Sequence, residues 1–123
     1  SYVLSSGYYG KYYLKAQQVR DLLRSELQSL FKRFDILVGP TMPVLPFKIG
    51  EKIADPFKMY LIDIDTVVAN LSGNPSISVP AGFEDGLPVG LQMMADHYHE
   101  HTLFEAASAF ESLSGVANRR AEL

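Results

Sequence analysis

Residues 58–83 read K-M-Y-L-I-D-I-D-T-V-V-A-N-L-S-G-N-P-S-I-S-V-P-A-G-F, and the rest of the chain is arranged around this stretch. In its first half Tyr60, Ile64, Val67, Val68 and Leu71 recur at helical spacing, which predicts a buried helix. Asp63, Thr66 and Asn70 fall at i, i+3 and i+7, a narrow polar stripe on an otherwise apolar helix. A buried carboxylate needs a cation or several donors to offset its desolvation, so the stripe calls for a partner, a structural one or a ligand. Ser72-Gly73-Asn74-Pro75 then supplies a glycine stop and a turn, and Ser76-Ile77-Ser78-Val79 alternates as a strand does. A polar stripe beside such a turn is a place where α/β folds build small-molecule sites.

Toward the amino terminus, Asp35-Ile36-Leu37-Val38-Gly39-Pro40 is a short apolar run closed by Gly-Pro, expected to be a strand buried on both faces. Before it, Val19, Leu22, Leu23, Leu27, Leu30, Phe31 and Phe34 follow a 3.6-residue period in an amphipathic helix starting at Leu14 and ending near Arg33. Its other side, with Lys15, Gln18, Arg20, Asp21, Arg24, Ser25 and Gln28, is expected to be solvated. The first ten residues are rich in Tyr, Ser and Gly, and the tyrosines at 8, 9, 12 and 13 are expected to pack. Pro43, Pro46, Gly50 and Pro56 make a long loop between strand and central helix, with Pro56 suited to the first helical turn.

Toward the carboxy terminus, Asp85-Gly86 is a tight-turn signal between the strand-like residues 76–79 and 89–94, which predicts an antiparallel pair. Glu100 opens a last helix with Leu103, Ala106, Ala107, Phe110 and Leu113 on one face, and the tail from Asn118 to Leu123 reads as frayed.

Composition narrows the class. The chain has 123 residues, 47% hydrophobic and 20% charged, as in a globular protein of one domain. A net charge of −3 without a basic run speaks against direct nucleic-acid binding. The absence of cysteine leaves no thiol nucleophile or disulfide framework and fits a reducing, cytoplasmic setting, and no stretch reads as a signal peptide or membrane span. Beginning on Ser1 in mid-pattern, the chain reads as a cut from a longer one. His97, His99 and His101 could share a metal on a strand, but no carboxylate or cysteine completes a set, and a solvated loop is the simpler reading. No G-x-S-x-G, P-loop or G-x-G-x-x-G is present. Serines 72, 76 and 78 are expected to cap and to bond locally. From spacing alone, Asp63 is open to either a structural or a ligand-binding role.

The sequence S-Y-V-L-S-S-G-Y-Y-G-K-Y-Y-L-K-A at 1–16, D-I-L-V-G-P-T-M-P at 35–43, F-K-I-G-E-K at 47–52, D-P-F-K-M-Y-L-I-D at 55–63, N-L-S-G-N-P-S-I-S-V-P-A-G-F at 70–83 and D-G-L-P-V-G-L-Q at 85–92 resembles the amidase signature family. Within it, the chain resembles the glutaminase subunits of tRNA-dependent amidotransferases, over essentially its whole length. The resemblance implies the carboxy-terminal segment of an α/β/α sandwich with a mixed central sheet, residues 1–123 forming part of a single domain. It implies that the serine nucleophile, the second serine and the lysine of that family belong to a region preceding Ser1, so that no catalytic residue lies in this chain, which alone is expected to be inactive. It implies glutamine as substrate, the B and C subunits of the amidotransferase as partners, and tRNA contacted only through the B subunit. ATP and Mg are expected at that partner, with no cofactor or metal in this chain and no membrane association. Asp63 matches the aspartate of the family's M-Y-x-x-D motif, which binds the α-amino group of glutamine. The alternatives are a segment of another amidase-signature hydrolase and a non-catalytic subunit-interaction module. The sequence departs from the family's commoner N-L-A-G-L-P or N-L-A-G-V-P at Ser72 and Asn74, and from the customary glycine after the last strand at Ala95.

Overall fold

The computed structural model describes residues 12–47, 60–116 and 118–121. The aromatic approach at residues 1–10 and the expected helix start at Pro56 lie outside these residues. Helix α1 spans Leu14–Phe31, strand β1 Ile36–Pro40, helix α2 Val67–Ser72, strand β2 Ser76–Glu84, strand β3 Leu87–Ala95 and helix α3 Glu100–Ser114.

The three strands form one antiparallel sheet in the order β1-β3-β2. The β2–β3 hairpin closes through Asp85 and Gly86, at φ 49° and 77°, the left-handed pair that a two-residue hairpin turn requires and an Asp-Gly sequence supplies. Pro80 stands opposite Gly90 but Gly82 opposite Val89, so Ala81 is an extra residue in β2, and the proline sits at that bulge where the ladder is already broken.

Alternation along β3 sorts the two layers of helices. Met93 and Ala95 face α3 and build the core with Val79, Leu103 and Ala107, while Ile36, Ile77, Leu91, Ala106 and Phe110 pack around it. Gln92 and Met94 point to the opposite face, which carries α1 and α2. The chain is thus layered helix, sheet, helix, the α/β arrangement expected for this part of the sandwich. On α3 the face Leu103-Ala106-Ala107-Phe110 meets the sheet as its spacing predicts, but Leu113 is exposed.

Several expectations are corrected. The central helix is not continuous: residues 60–62 are helical, 63–66 form a turn, and α2 resumes at Val67. The sequence I-D-I-D-T-V-V places β-branched side chains, stiff at χ1, between residue types whose side chains compete for backbone hydrogen bonds, as Thr66 does at the Asp63 carbonyl, a poor combination for an unbroken helix. Nor is this stretch buried, since Tyr60 is 81% and Ile64 51% exposed, with Val67 and Leu71 also exposed. Strand β1 is an edge strand whose Val38 is 65% exposed, rather than a strand covered on both faces. Within the tail expected to fray, the Arg119 guanidinium lies 4.3 Å from the centre of the Phe83 ring, and the Arg119 backbone N–H donates to Val116 O at 3.0 Å.

Candidate functional site

Asp63 sits on the turn that interrupts the central helix. Its carbonyl oxygen accepts from Val67 N at 2.9 Å and from Thr66 Oγ1 at 3.2 Å, and Asn70 Nδ2 donates to Thr66 O at 3.1 Å. The stripe predicted from spacing is therefore one connected run of local hydrogen bonds. It is not buried: Asp63 and Asn70 are exposed and Thr66 is half-buried. The side chains of Thr66 and Asn70 are spent on the backbone, and among the described residues no hydrogen bond or ion pair engages the Asp63 carboxylate. A solvated carboxylate on a backbone fixed by its neighbours can receive a cation, and an ammonium group with three donors suits it best.

Residues outside the segment fix its position. Gln92, 8% exposed on β3, donates Nε2 to the Asp65 carbonyl at 3.3 Å. From α1, Arg20 Nε donates to Leu71 O at 2.7 Å and Arg24 Nε to Ser72 O at 2.8 Å. These carbonyls close α2, where the helix dipole is negative and Gly73, at φ 81°, ends the helix. His97 Nε2 lies 3.3 Å from the same Ser72 oxygen, donating when that nitrogen carries the proton, and its Nδ1 is 3.5 Å from Asp96 Oδ1.

Sequence reasoning assigned Arg20 and Arg24 to a solvated face and passed over Gln92. Two signals were present. Arginines four apart lie on one side of a helix and can reach a single partner, and a glutamine amid V-G-L-Q-M-M is the one polar residue in a buried run.

The histidines separate. His97 joins the end of α2, His99 precedes α3, and His101 is exposed on α3, 3.3 Å from Glu105. Among the described residues no group of three histidines or carboxylates is placed to hold a metal. A cleft of about 520 Å³, lined by residues 41–46, 78–80 and 88–90, includes no residue of the Asp63 turn or of α2. At its edge Thr41 Oγ1 and Ser78 Oγ lie 2.6 Å apart, bonded to each other rather than to a base that would activate either. No helix among the described residues is long and apolar enough to cross a membrane.

A family profile described as Amidase matches residues 1–104. The A subunit of the Geobacillus kaustophilus glutamyl-tRNA(Gln) amidotransferase is 53% identical over 111 residues, which is 90% of this chain and 23% of the relative. The corresponding A subunit from Bacillus velezensis is 49% identical over all 123 residues, 25% of its own length. The crystal structure of the A subunit of the Thermotoga maritima glutamyl-tRNA(Gln) amidotransferase matches with a TM-score of 0.83 at 44% identity, covering 92% of this chain and 25% of that one. The chain spans about a quarter of the length of the relatives it matches.

Proposed function

This chain belongs to the amidase family, and from that premise we propose that it forms the carboxy-terminal quarter of the glutaminase subunit of a tRNA-dependent amidotransferase. In that subunit glutamine is hydrolysed to supply ammonia, which a partner uses to convert Glu-tRNA(Gln) to Gln-tRNA(Gln). The B and C subunits are the partners, and tRNA is reached only through the B subunit. The nucleophile and its assisting groups belong to the remaining three quarters, so the 123 residues alone release no ammonia from glutamine.

The part assigned to this chain is recognition. Asp63 receives the α-ammonium of glutamine in a charge-assisted contact, and the carboxamide at the other end of the substrate is thereby presented to the nucleophile. A contact remote from the scissile bond both selects a free amino acid and positions the reacting group, so it acts on binding and on turnover. The observation that carries this reading is the exposed Asp63 carboxylate, with no hydrogen-bond or ion-pair partner among the described residues, on a turn where the neighbouring Thr66 and Asn70 side chains are already bonded to backbone carbonyls. The agreement in sequence with amidotransferase A subunits from end to end of the chain supports the substrate class.

The test compares Asp63→Asn with the parent in the complete complex, using glutamine and 4-carbamoylbutanoate, the same acid without the α-amino group. Loss of a hydrogen bond to a charged group is expected to lower kcat/KM for glutamine about ten- to a hundredfold and to leave the slow reaction of the other amide unchanged. An equal fall for both amides, or no fall for glutamine, removes Asp63 from the ammonium site.

A further inference from the structure

The segment from Asp63 to Ser72 is held from outside at both ends. Near its start Gln92 grips the Asp65 carbonyl, and at its end Arg20 and Arg24 grip the last two carbonyls of α2. Helix α2 has six residues, too few to be stable through its own hydrogen bonds, so its position is set by what docks against it. The bonds from Val67 N to Asp63 O and from Asn70 Nδ2 to Thr66 O carry that position back along the segment to Asp63.

The choice of residue at β3 points the same way. Gln92 is buried, and its Oε1 has no hydrogen-bond partner among the described residues. An orphaned amide oxygen in a strand interior is a cost that an apolar side chain would avoid. What the glutamine gains is the bond to Asp65, two residues from the carboxylate. The arginines likewise donate to backbone carbonyls, with cationic donors directed at the negative end of a helix.

From these contacts we infer that Gln92 and Arg24, with Arg20, are positioning residues for the Asp63 carboxylate. They hold Asp65 and the end of α2 so that Asp63 meets the substrate ammonium at a fixed distance from the reacting carboxamide. This rests on the reading of Asp63 given above. Misplacing an ionic contact by a fraction of an ångström weakens it, and the misalignment is passed on to the scissile bond. The effect must therefore be specific to substrates that carry the α-amino group.

The experiment uses Gln92→Met and Arg24→Met in the complete complex. Both keep most of the side-chain volume while removing the donor, and the milder Arg20→Met stands in should either fail to assemble. For each variant kcat/KM is measured with glutamine and with 4-carbamoylbutanoate, alone and combined with Asp63→Asn. The expected result is a selective loss with glutamine of about fivefold or more, partly recovered in Arg24→Lys, and no further loss on the Asp63→Asn background. Equal losses with both amides, or a loss that persists in full with Asp63→Asn, assign the residues to stability alone and overturn the inference. If Asp63→Asn is itself selective and the other variants are not, only the positioning role falls. If Asp63→Asn is not selective, the ammonium site and the inference fall together.

Discussion

The side-chain amide of Asn74 donates to the carbonyl oxygen of Ala95 at 3.0 Å, joining the turn after α2 to the end of β3 across 21 residues of sequence. Asn74 is 6% exposed, and its backbone N–H is directed to Ser72 Oγ at 3.3 Å. Replacing it tests what the bond contributes. Asn74→Ala removes one buried hydrogen bond and is expected to destabilise the subunit by about 1–3 kcal/mol. Asn74→Asp is expected to be worse at neutral pH, because it buries a charge and sets two acceptors against each other. Burial raises the folded-state pKa of the new carboxyl above its unfolded value of about 4. The folded protein then binds the proton more tightly, so stability is gained as pH falls and lost as pH rises. Urea denaturation of the complete subunit at pH 7 and at pH 5 should show the deficit of Asn74→Asp, relative to the parent, shrinking at the lower pH. A deficit independent of pH would show that the site admits water.

Gly90 is where three strands' worth of chain come close. A Cβ built there would lie 2.6 Å from Thr41 Oγ1, 2.8 Å from Ser78 Oγ and 3.0 Å from Thr41 Cβ, while Thr41 N donates to Gly90 O at 3.0 Å. The hydroxyl pair cannot retreat without losing its own 2.6 Å bond. Gly90→Ala is expected to cost about 1–3 kcal/mol by overpacking, and Thr41→Ala introduced alongside it should recover part of that loss. The combined variant being no more stable than Gly90→Ala would place the strain in the strand backbone instead.

What the sequence made legible, and what it hid, follows from the range of the interactions involved. The hairpin at Asp85-Gly86, helix α1, helix α3 and the polar stripe at Asp63, Thr66 and Asn70 depend on neighbours within a turn or a few residues, and periodicity or turn chemistry reports those directly. The docking of Arg24 on Ser72 spans 48 residues and that of Gln92 on Asp65 spans 27, and nothing in local spacing encodes such pairs. The interruption at residues 63–66 was readable in part, from alternating β-branched and side-chain-bonding residues, but an apolar period of 3.6 outweighed it. That period runs across the break, with Tyr60, Val67 and Leu71 helical and Ile64 in the turn, and says nothing of what covers these side chains, which within this chain are exposed.

Ser72, Asn74 and Ala95 are neighbours in space, and their coupling can be forecast from which atoms meet. Ser72 Oγ accepts from Asn74 N, so these two residues belong to one hydrogen-bond network, and Ser72 is fully buried. Asn74 reaches Ala95 only through its carbonyl oxygen, which any residue supplies, while the Ala95 methyl lies on the other side, in the core with Leu103 and Ala107. Combining Ser72→Ala with Asn74→Leu is therefore expected to be non-additive, with an interaction energy of at least about 0.5 kcal/mol. Ala95→Gly should cost about 1 kcal/mol for the lost methyl and add independently to either change. Double-mutant cycles on unfolding of the complete subunit separate the two cases. Strong coupling of Ala95→Gly to Asn74→Leu would mean that the turn and the α3 core share a packing constraint that the hydrogen bonds do not explain.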